Sequence, residues 1–169
     1  MRGILTGFGV GTALALLILA TPAPGWGENV PLHMVPNPVL DAVGGRFKNA
    51  RIASADRDRD NRGFVYEVTI RHEGKSVDVT LTPEGVIVLI KREIAATELP
   101  EPIAKVLEDT YPKATYDVVE AVTTVQGRQE TLVYYEVDLM TAQRGIVEVR
   151  VSVDGKILKG GAVGRGHTR

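Results

Sequence analysis

Val39–Ala50 reads VLDAVGGRFKNA, and Ile103–Ala114, 64 residues further on, reads IAKVLEDTYPKA. The match continues past both helical stretches. Tyr66-Glu67-Val68 returns as Tyr135-Glu136-Val137, Val77-Asp78-Val79-Thr80-Leu81 as Val147-Glu148-Val149-Arg150-Val151, and Glu84-Gly85 as Asp154-Gly155. The offset grows from 64 to 69 to 70, the drift expected when loops lengthen between matched elements. A period of this length marks one supersecondary unit used twice, and it decides the fold before any single residue does. The matched positions are apolar residues and turn formers, not nucleophiles, metal ligands or phosphate loops. The pattern therefore points to a two-unit binding scaffold.

Each unit can be read locally. Asn37 is expected to cap a helix with Pro38 in its first turn. Val39, Leu40, Val43 and Phe47 fall on one helical face, and Gly44-Gly45 should keep the helix short. Arg51 to Asp56 is a strand candidate. In Phe64 to Arg71, Phe64, Tyr66, Val68 and Ile70 alternate inward against Val65, Glu67, Thr69 and Arg71 outward. Glu73-Gly74 turns the chain, and Lys75 to Leu81 alternates again with Val77, Val79 and Leu81 inward. Thr82-Pro83-Glu84-Gly85 is a turn, with proline presetting φ and glycine supplying positive φ. Val86 to Ile94 is a fourth strand. In the second unit Ile103, Val106, Leu107 and Tyr111 make the helical stripe, and Pro112 ends it. Thr115 to Val125 is a strand, Gln126 to Glu130 a polar loop, and Thr131 to Met140 a strand with Val133, Tyr135, Val137 and Leu139 inward. Ile146 to Val153, the Asp154-Gly155 turn and Lys156 to Lys159 complete it.

The predicted fold class is α+β: two tandem repeats, each a short helix packed on an antiparallel sheet of about four strands. The helix-covered face should be dry and the other face wet. The expected boundaries are a signal peptide over 1–25, repeat unit one over 35–95, a linker over 96–102 built on Leu99-Pro100-Glu101-Pro102, repeat unit two over 103–159, and a disordered glycine-rich tail over 160–169.

The leader carries Arg2, then the almost unbroken apolar run Ile4–Ala20, then small residues around Ala20, Ala23 and Gly25. That is a secretory signal layout. The run spans about 17 residues, at the lower limit for a membrane span, so retention as an N-terminal anchor is the rival reading. Export implies a periplasmic or secreted protein. The 169-residue chain has no cysteine, which leaves no disulfide, thiolate chemistry or lipid-bearing cysteine. A formal net charge of −1 gives no electrostatic case for nucleic acid. Aromatics make up only 5% of the residues, so base-stacking platforms are not signalled either. No cofactor motif is present, and none is expected to bind.

The sequence carries a family likeness at this point. A short helix ending in Phe/Tyr-x-x-Ala, Tyr-Glu-Val on a strand, and Val-Asp-Val-Thr-Leu-Thr-Pro-Glu-Gly resemble the PepSY-like, beta-lactamase-inhibitor-like family of small exported bacterial proteins. The likeness covers about Val35 to Lys159. It implies tandem helix-plus-sheet units. The second unit departs from it in having Val153 where the first has Pro83, and in its longer loop at Gln126 to Glu130. The shared motifs are structural, so the resemblance implies a shape and not an inhibitory activity.

Candidate sites follow from the outward faces. Glu67, Arg71 and Asp78 in unit one, with Tyr134, Glu136, Asp138, Met140 and Arg150 in unit two, form the candidate partner-binding surface; Tyr and Arg are favoured anchors in such surfaces. The expected partner is a protein of the cell envelope, with neither nucleic acid nor membrane engaged beyond the signal segment. Asp56-Arg57-Asp58-Arg59-Asp60-Asn61-Arg62-Gly63 places aspartates at positions 1, 3 and 5 of a calcium-like loop, with Glu67 at position 12. Asn61 replaces the glycine at position 6, and Arg57, Arg59 and Arg62 offset the charge. A solvated hairpin loop is therefore the primary reading of this segment. Calcium or small-ligand sensing through Asp56, Asp58 and Asp60 is the alternative. His33, His72 and His167 lack ligand spacing for zinc. Ser54, Ser76 and Ser152 have no nucleophile elbow. Paired outward carboxylates could serve glycoside hydrolysis, but charged sheet faces of this kind are ordinary, and a non-enzyme is expected.

Overall fold

The computed structural model describes residues 27–60 and 63–162. The expected signal peptide and most of the expected tail lie outside them. Among the described residues nine strands form one antiparallel sheet in sequence order: β1 (Glu28–Asn29), β2 (Arg51–Asp60), β3 (Gly63–His72), β4 (Lys75–Leu81), β5 (Ile87–Glu93), β6 (Thr115–Gln126), β7 (Gln129–Met140), β8 (Ile146–Ser152) and β9 (Ile157–Ala162). Helix α1 (Asn37–Arg46) precedes β2, and helix α2 (Glu101–Thr110) precedes β6. No helix among the described residues is long and apolar enough to cross a membrane.

Both helices begin alike. Val35-Pro36-Asn37-Pro38 and Leu99-Pro100-Glu101-Pro102 each bury the leading aliphatic, place the first proline at the N-cap and the second inside the first turn. Proline suits that turn because its missing N–H would have no intrahelical partner. Asn37 is thus the first helical residue rather than the cap, and no side chain caps α1. The 96–102 segment is not a free linker: it holds a 3-10 turn at Ala96–Glu98, the buried Leu99 and the start of α2.

Alternation in the strands sends one set of side chains under the helices. Val39, Val43 and Phe47 pack on Tyr66, Val68, Ile70, Val77, Val79, Leu81 and Ile90. Ile103 and Leu107 pack on Val119, Tyr135, Val137, Leu139, Val149 and Val151. The register is matched in the two halves: Tyr66 faces Leu81 and Val68 faces Val79 across β3–β4, while Tyr135 faces Val151 and Val137 faces Val149 across β7–β8. The two cores lie on one face of the sheet, because Val77, Arg92, Ala121, Tyr135 and Val151 pair in a continuous row.

The sheet does not divide into two sheets of four strands. β5 and β6 pair from Leu89↔Thr124 to Glu93↔Glu120, so the seam is itself a ladder. On the helix side the seam is closed by charge. Arg92 of β5 donates two hydrogen bonds to Glu130 of β7, at 2.7 and 3.0 Å, and Arg46 of α1 donates a third. Those guanidinium hydrogen bonds, Arg92 foremost, hold the Glu130 carboxyl below its ordinary range.

Other elements also differ from expectation. β2 runs to Asp60 and not Asp56, pairing Asp58 with Val65 and Asp60 with Gly63, so the acidic segment is strand and not hairpin loop. The loop expected at Gln126–Glu130 is a tight connection through Gly127 and Arg128. Val133 is not an inward ladder residue. The register slips between Val122 and Thr123, so that Tyr134 pairs Val122, Leu132 pairs Thr123, and Val133 is the extra residue of a bulge. Phe64, read as inward, is 51% exposed and lies under the guanidinium groups of Arg57 and Arg59, each 5.3 Å from its ring centre. Gly160 and Gly161 belong to β9, paired with Val149 and Glu148, and not to a tail.

The turn at Gly85 allows a direct test of α1 docking. Gly85 has φ +83°, and a Cβ there would stand 2.3 Å from the Pro38 carbonyl oxygen. Gly155 has φ +84°, but its nearest neighbours, Val106 Cγ2 and the Pro102 carbonyl oxygen, would be 3.8 and 3.9 Å away. Gly155→Ala should therefore cost only the left-handed strain, about 1–2 kcal/mol. Gly85→Ala adds a clash and should cost about 2–4 kcal/mol. Urea denaturation of both variants checks this, and equal losses would show that α1 does not press on the turn.

Candidate functional site

The face opposite the helices carries the ionisable cluster. Two rows of cross-strand partners build it. The first runs Thr69, Asp78, Lys91, Val122, Tyr134, Ser152 from β3 to β8. The second runs Glu93, Glu120, Glu136, Arg150, Lys159 from β5 to β9. Each residue is placed by its parity in a strand whose other parity is buried under a helix, so the apolar pattern fixes the charged one.

Glu136 sits at the centre and is 7% exposed. Lys91 Nζ donates to Glu136 Oε1 at 3.0 Å, and Arg150 Nε donates to Glu136 Oε2 at 2.7 Å. Lys91 is on β5 and Glu136 on β7, so the lysine stem reaches across β6, about 10 Å at normal strand spacing. It passes over Val122, its ladder partner, which is 0% exposed although it is on the uncovered face. Arg150 also meets Glu148 Oε1 at 3.3 Å and lies over the Tyr134 ring, 5.6 Å from its centre. Val65 of β3, also on this face, is 6% exposed. The face expected to be wet is thus largely dry at its centre.

Burial and charge divide the carboxyls. For Glu136 burial works upward, but Lys91 and Arg150 outweigh it and hold the group below its ordinary range. Glu120, Glu136's ladder partner, has no such pair of cations. Burial, only partly offset by Lys91 and reinforced by Asp78, Glu136 and Glu67, pushes it up to about 8. Burial also raises Glu67. For Lys91 burial works downward, but Glu136, Glu67 and Glu120 overcome it and keep the ammonium charged. Asp78 Oδ1 is sealed from solvent and has no hydrogen-bond partner among the described residues. Glu67, Glu120 and Glu136 therefore share the Lys91 ammonium, Arg150 serves Glu136 and Glu148, and burial favours the protonated form of Glu120 at neutral pH.

A pH dependence follows. The folded-state pKa of Glu120 lies above the ordinary 4.5 and reaches about 8. The folded chain keeps a proton that the unfolded chain releases, so the associated stability is complete below pH 4.5 and is lost as pH rises through 8. The urea midpoint should fall between pH 5 and pH 8.5, and Glu120→Gln should flatten that slope. An unchanged slope in the variant would place the titration elsewhere.

The structure brings five of the expected surface residues together: Glu67, Asp78, Tyr134, Glu136 and Arg150. Arg71, Asp138 and Met140 share the face but sit farther out, Arg71 paired to Arg51 and Ser76, and Met140 to Thr115 and Ile146. Sequence reasoning passed over Lys91 and Glu120. The signal was the alternation of Leu89, Lys91 and Glu93 against Ile90 and Arg92, and it acquires meaning only once β5 is paired with β6. Asp56, Asp58 and Asp60 stand in a line along β2 instead of curling around a centre. Among the described residues no group of three or more acidic or histidine side chains is placed to hold a metal ion.

The fold has solved neighbours. A BLIP-like protein from Bacteroides fragilis shares it at 17% identity and TM-score 0.55, over 83% of this chain and 92% of that one. A DUF2874 family protein from Bacteroides uniformis shares it at 16% identity and TM-score 0.59, over 76% and 89%. A candidate periplasmic protein from Bacteroides eggerthii shares it at 14% identity and TM-score 0.63, over 79% and 93%. No family model and no curated protein sequence matches the chain, so the likeness is one of shape. The BLIP-like side of the family resemblance thus holds coarsely, as a fold.

Proposed function

We propose that the chain is an exported, non-catalytic binding module, built by duplication of a PepSY-like helix-and-sheet unit, which contacts a protein of the cell envelope through its uncovered sheet face. The observation that carries this reading is the Lys91–Glu136–Arg150 network with Tyr134 stacked on it. It fixes long side chains in one arrangement across β5 to β8, which lowers the ordering cost of an interface. Lys91 and Arg150 each hold one oxygen of Glu136, so that carboxylate is engaged in the network rather than free to act as a base. Carboxylates outnumber cations on this face, which disfavours nucleic acid. The matched register of β3–β4 and β7–β8 supports duplication. The fold neighbours support a periplasmic setting. Calcium sensing through Asp56, Asp58 and Asp60 draws no support from their linear placement on β2.

The test is capture from the envelope fraction by the tagged protein. The captured protein should be lost with Asp138→Lys on the sheet face and retained with Lys105→Glu on the exposed side of α2. The opposite pattern would move the interface to the helices. Export itself predicts a mature N-terminus between Pro24 and Glu28, read by N-terminal sequencing of protein from its native host. Intact Met1 in a membrane fraction would mean an anchored protein.

A further inference from the structure

The exposed apolar side chains are not scattered over the surface. β2, β4, β6 and β8 end, and β3, β5, β7 and β9 begin, at one and the same end of the sheet. Phe64 opens β3, Val86 lies in the β4–β5 turn, Leu132 is near the start of β7, and Val153 and Leu158 flank the β8–β9 turn. Leu32 and Met34 belong to the 3-10 turn that leads into α1, and the Pro38 carbonyl in the first turn of α1 packs on Gly85 at that same end. These seven are all the exposed large apolar side chains among the described residues, and Met34, Phe64, Val86 and Val153 are each more than half exposed. The opposite end holds the β3–β4 and β7–β8 turns and the place where Phe47, after α1, meets His72, and none of the seven lies there. A single exposed valine or leucine is ordinary. Confinement of all of them to one rim is not, since turn backbones call for glycine, proline and small polar residues.

The position of the chain's entry selects the occupant. β1 comes into the sheet from this rim: Glu28 faces Arg57, Asn29 faces Asp56, and the Val30 N–H donates to the Ala55 carbonyl. In the sequence only Thr21-Pro22-Ala23-Pro24-Gly25-Trp26 separates Gly27 from the apolar run Ile4–Ala20. Those six residues reach about 20 Å at most. A chain that leaves a bilayer at Ala20 thus enters the fold at its apolar end, and the residue before Gly27 is tryptophan, a type favoured at the lipid–water boundary. The depth also fits. The strand residue farthest from a tip is Leu132, three residues past Gln129, which is about 10 Å along the strand. Apolar groups of interfacial elements enter the headgroup boundary by about 5–10 Å. Exposed turn charges are balanced, Arg128 and Lys156 against Glu84 and Asp154, so the rim is not a basic patch that needs anionic lipid. Arg57 and Arg59 lie over the Phe64 ring, the arrangement in which an apolar group is immersed and the cations stay at headgroup level.

We propose that the rim formed by the β2–β3, β4–β5, β6–β7 and β8–β9 hairpins rests on a lipid bilayer, with its apolar side chains at headgroup depth and the strands standing on the surface. The membrane contact expected of the leader thus extends to the folded domain. The uncovered sheet face stands upright in this arrangement and stays open, so the docking is separate from the protein interface proposed above.

The test is sedimentation of the exported chain, beginning at Gly25, with phosphatidylcholine vesicles and with vesicles that also contain phosphatidylglycerol. It should bind both, with affinities within about threefold and little change at about 0.5 M salt, because burial of apolar groups and not surface charge holds it. Trp26 is the chain's single tryptophan, and its emission should move to the blue on binding. Phe64→Ser, Leu132→Ser and Val153→Ser together should weaken binding about tenfold or more. Met34→Ser with Val86→Ser, both outside the strands, should also weaken it if the strand substitutions disturb the fold, which a urea melt of each variant reads. Ala142→Ser in the β7–β8 turn should leave binding unchanged. Undiminished binding in both rim variants, binding to the anionic vesicles alone that salt releases, or sedimentation without a shift of Trp26 would each overturn the proposal. So would failure to bind either vesicle, and a photoreactive residue at Phe64 that then captured an envelope protein would assign the rim to a protein instead.

Discussion

Replacing Lys91 with alanine should cost the folded chain about 3–5 kcal/mol at pH 8, the usual penalty for removing one member of a buried ion pair and stranding the other. Glu136 would keep Arg150, but Glu67 and Glu120 would lose the ammonium they share with it. At pH 5 the loss should be smaller. Glu120, with its pKa of about 8, is then protonated, and less negative charge is left to compensate. The lysine is charged at both values, because its pKa is raised above 10.5 and the stability it confers is lost only beyond that. Urea denaturation at the two pH values reads both numbers. A loss under about 1 kcal/mol at pH 8 would mark Lys91 as an ordinary solvated lysine.

The adjacent tyrosines of β7 should separate by face. Tyr135 is 8% exposed and packs under α2 with Val137 and Val151. Tyr135→Ala should cost about 3–5 kcal/mol, as truncation of a core aromatic does. Tyr134 is half-buried on the uncovered face beneath Arg150, so Tyr134→Ala should cost about 1–2 kcal/mol, more than an ordinary surface change. Equal losses in urea would show that the two faces contribute alike to the core.

These two predictions differ in how far the sequence alone supports them. The inward set Tyr66, Val68, Ile70, Val77, Val79, Leu81, Tyr135, Val137 and Leu139 was legible because strict alternation beside turn residues has few other solutions. So was the apolar stripe of each helix. The ladder between β5 and β6 was not, since nothing local tells a strand that its partner lies beyond an intervening helix. Without that ladder Lys91 and Glu120 were unremarkable charges at the ends of separate units, and the dry centre of the open face could not be foreseen. The bulge at Val133 was hidden for a related reason. Alternation predicts parity until a residue is inserted, and Leu132-Val133 reads equally well in either phase. The acidic stretch misled through its spacing. Residues one, three and five of a metal loop are also the same-face residues of a strand, and pairing with Val65 and Gly63 chose the strand.

The most direct test of the binding face is site-specific photocrosslinking in the native envelope. A photoreactive residue at Thr69 or Asp138 on the uncovered sheet face should capture one and the same protein. The same probe at Asp41 of α1 or Lys105 of α2 should capture none. Capture of that protein from the helix positions, with none from the sheet, would contradict the account.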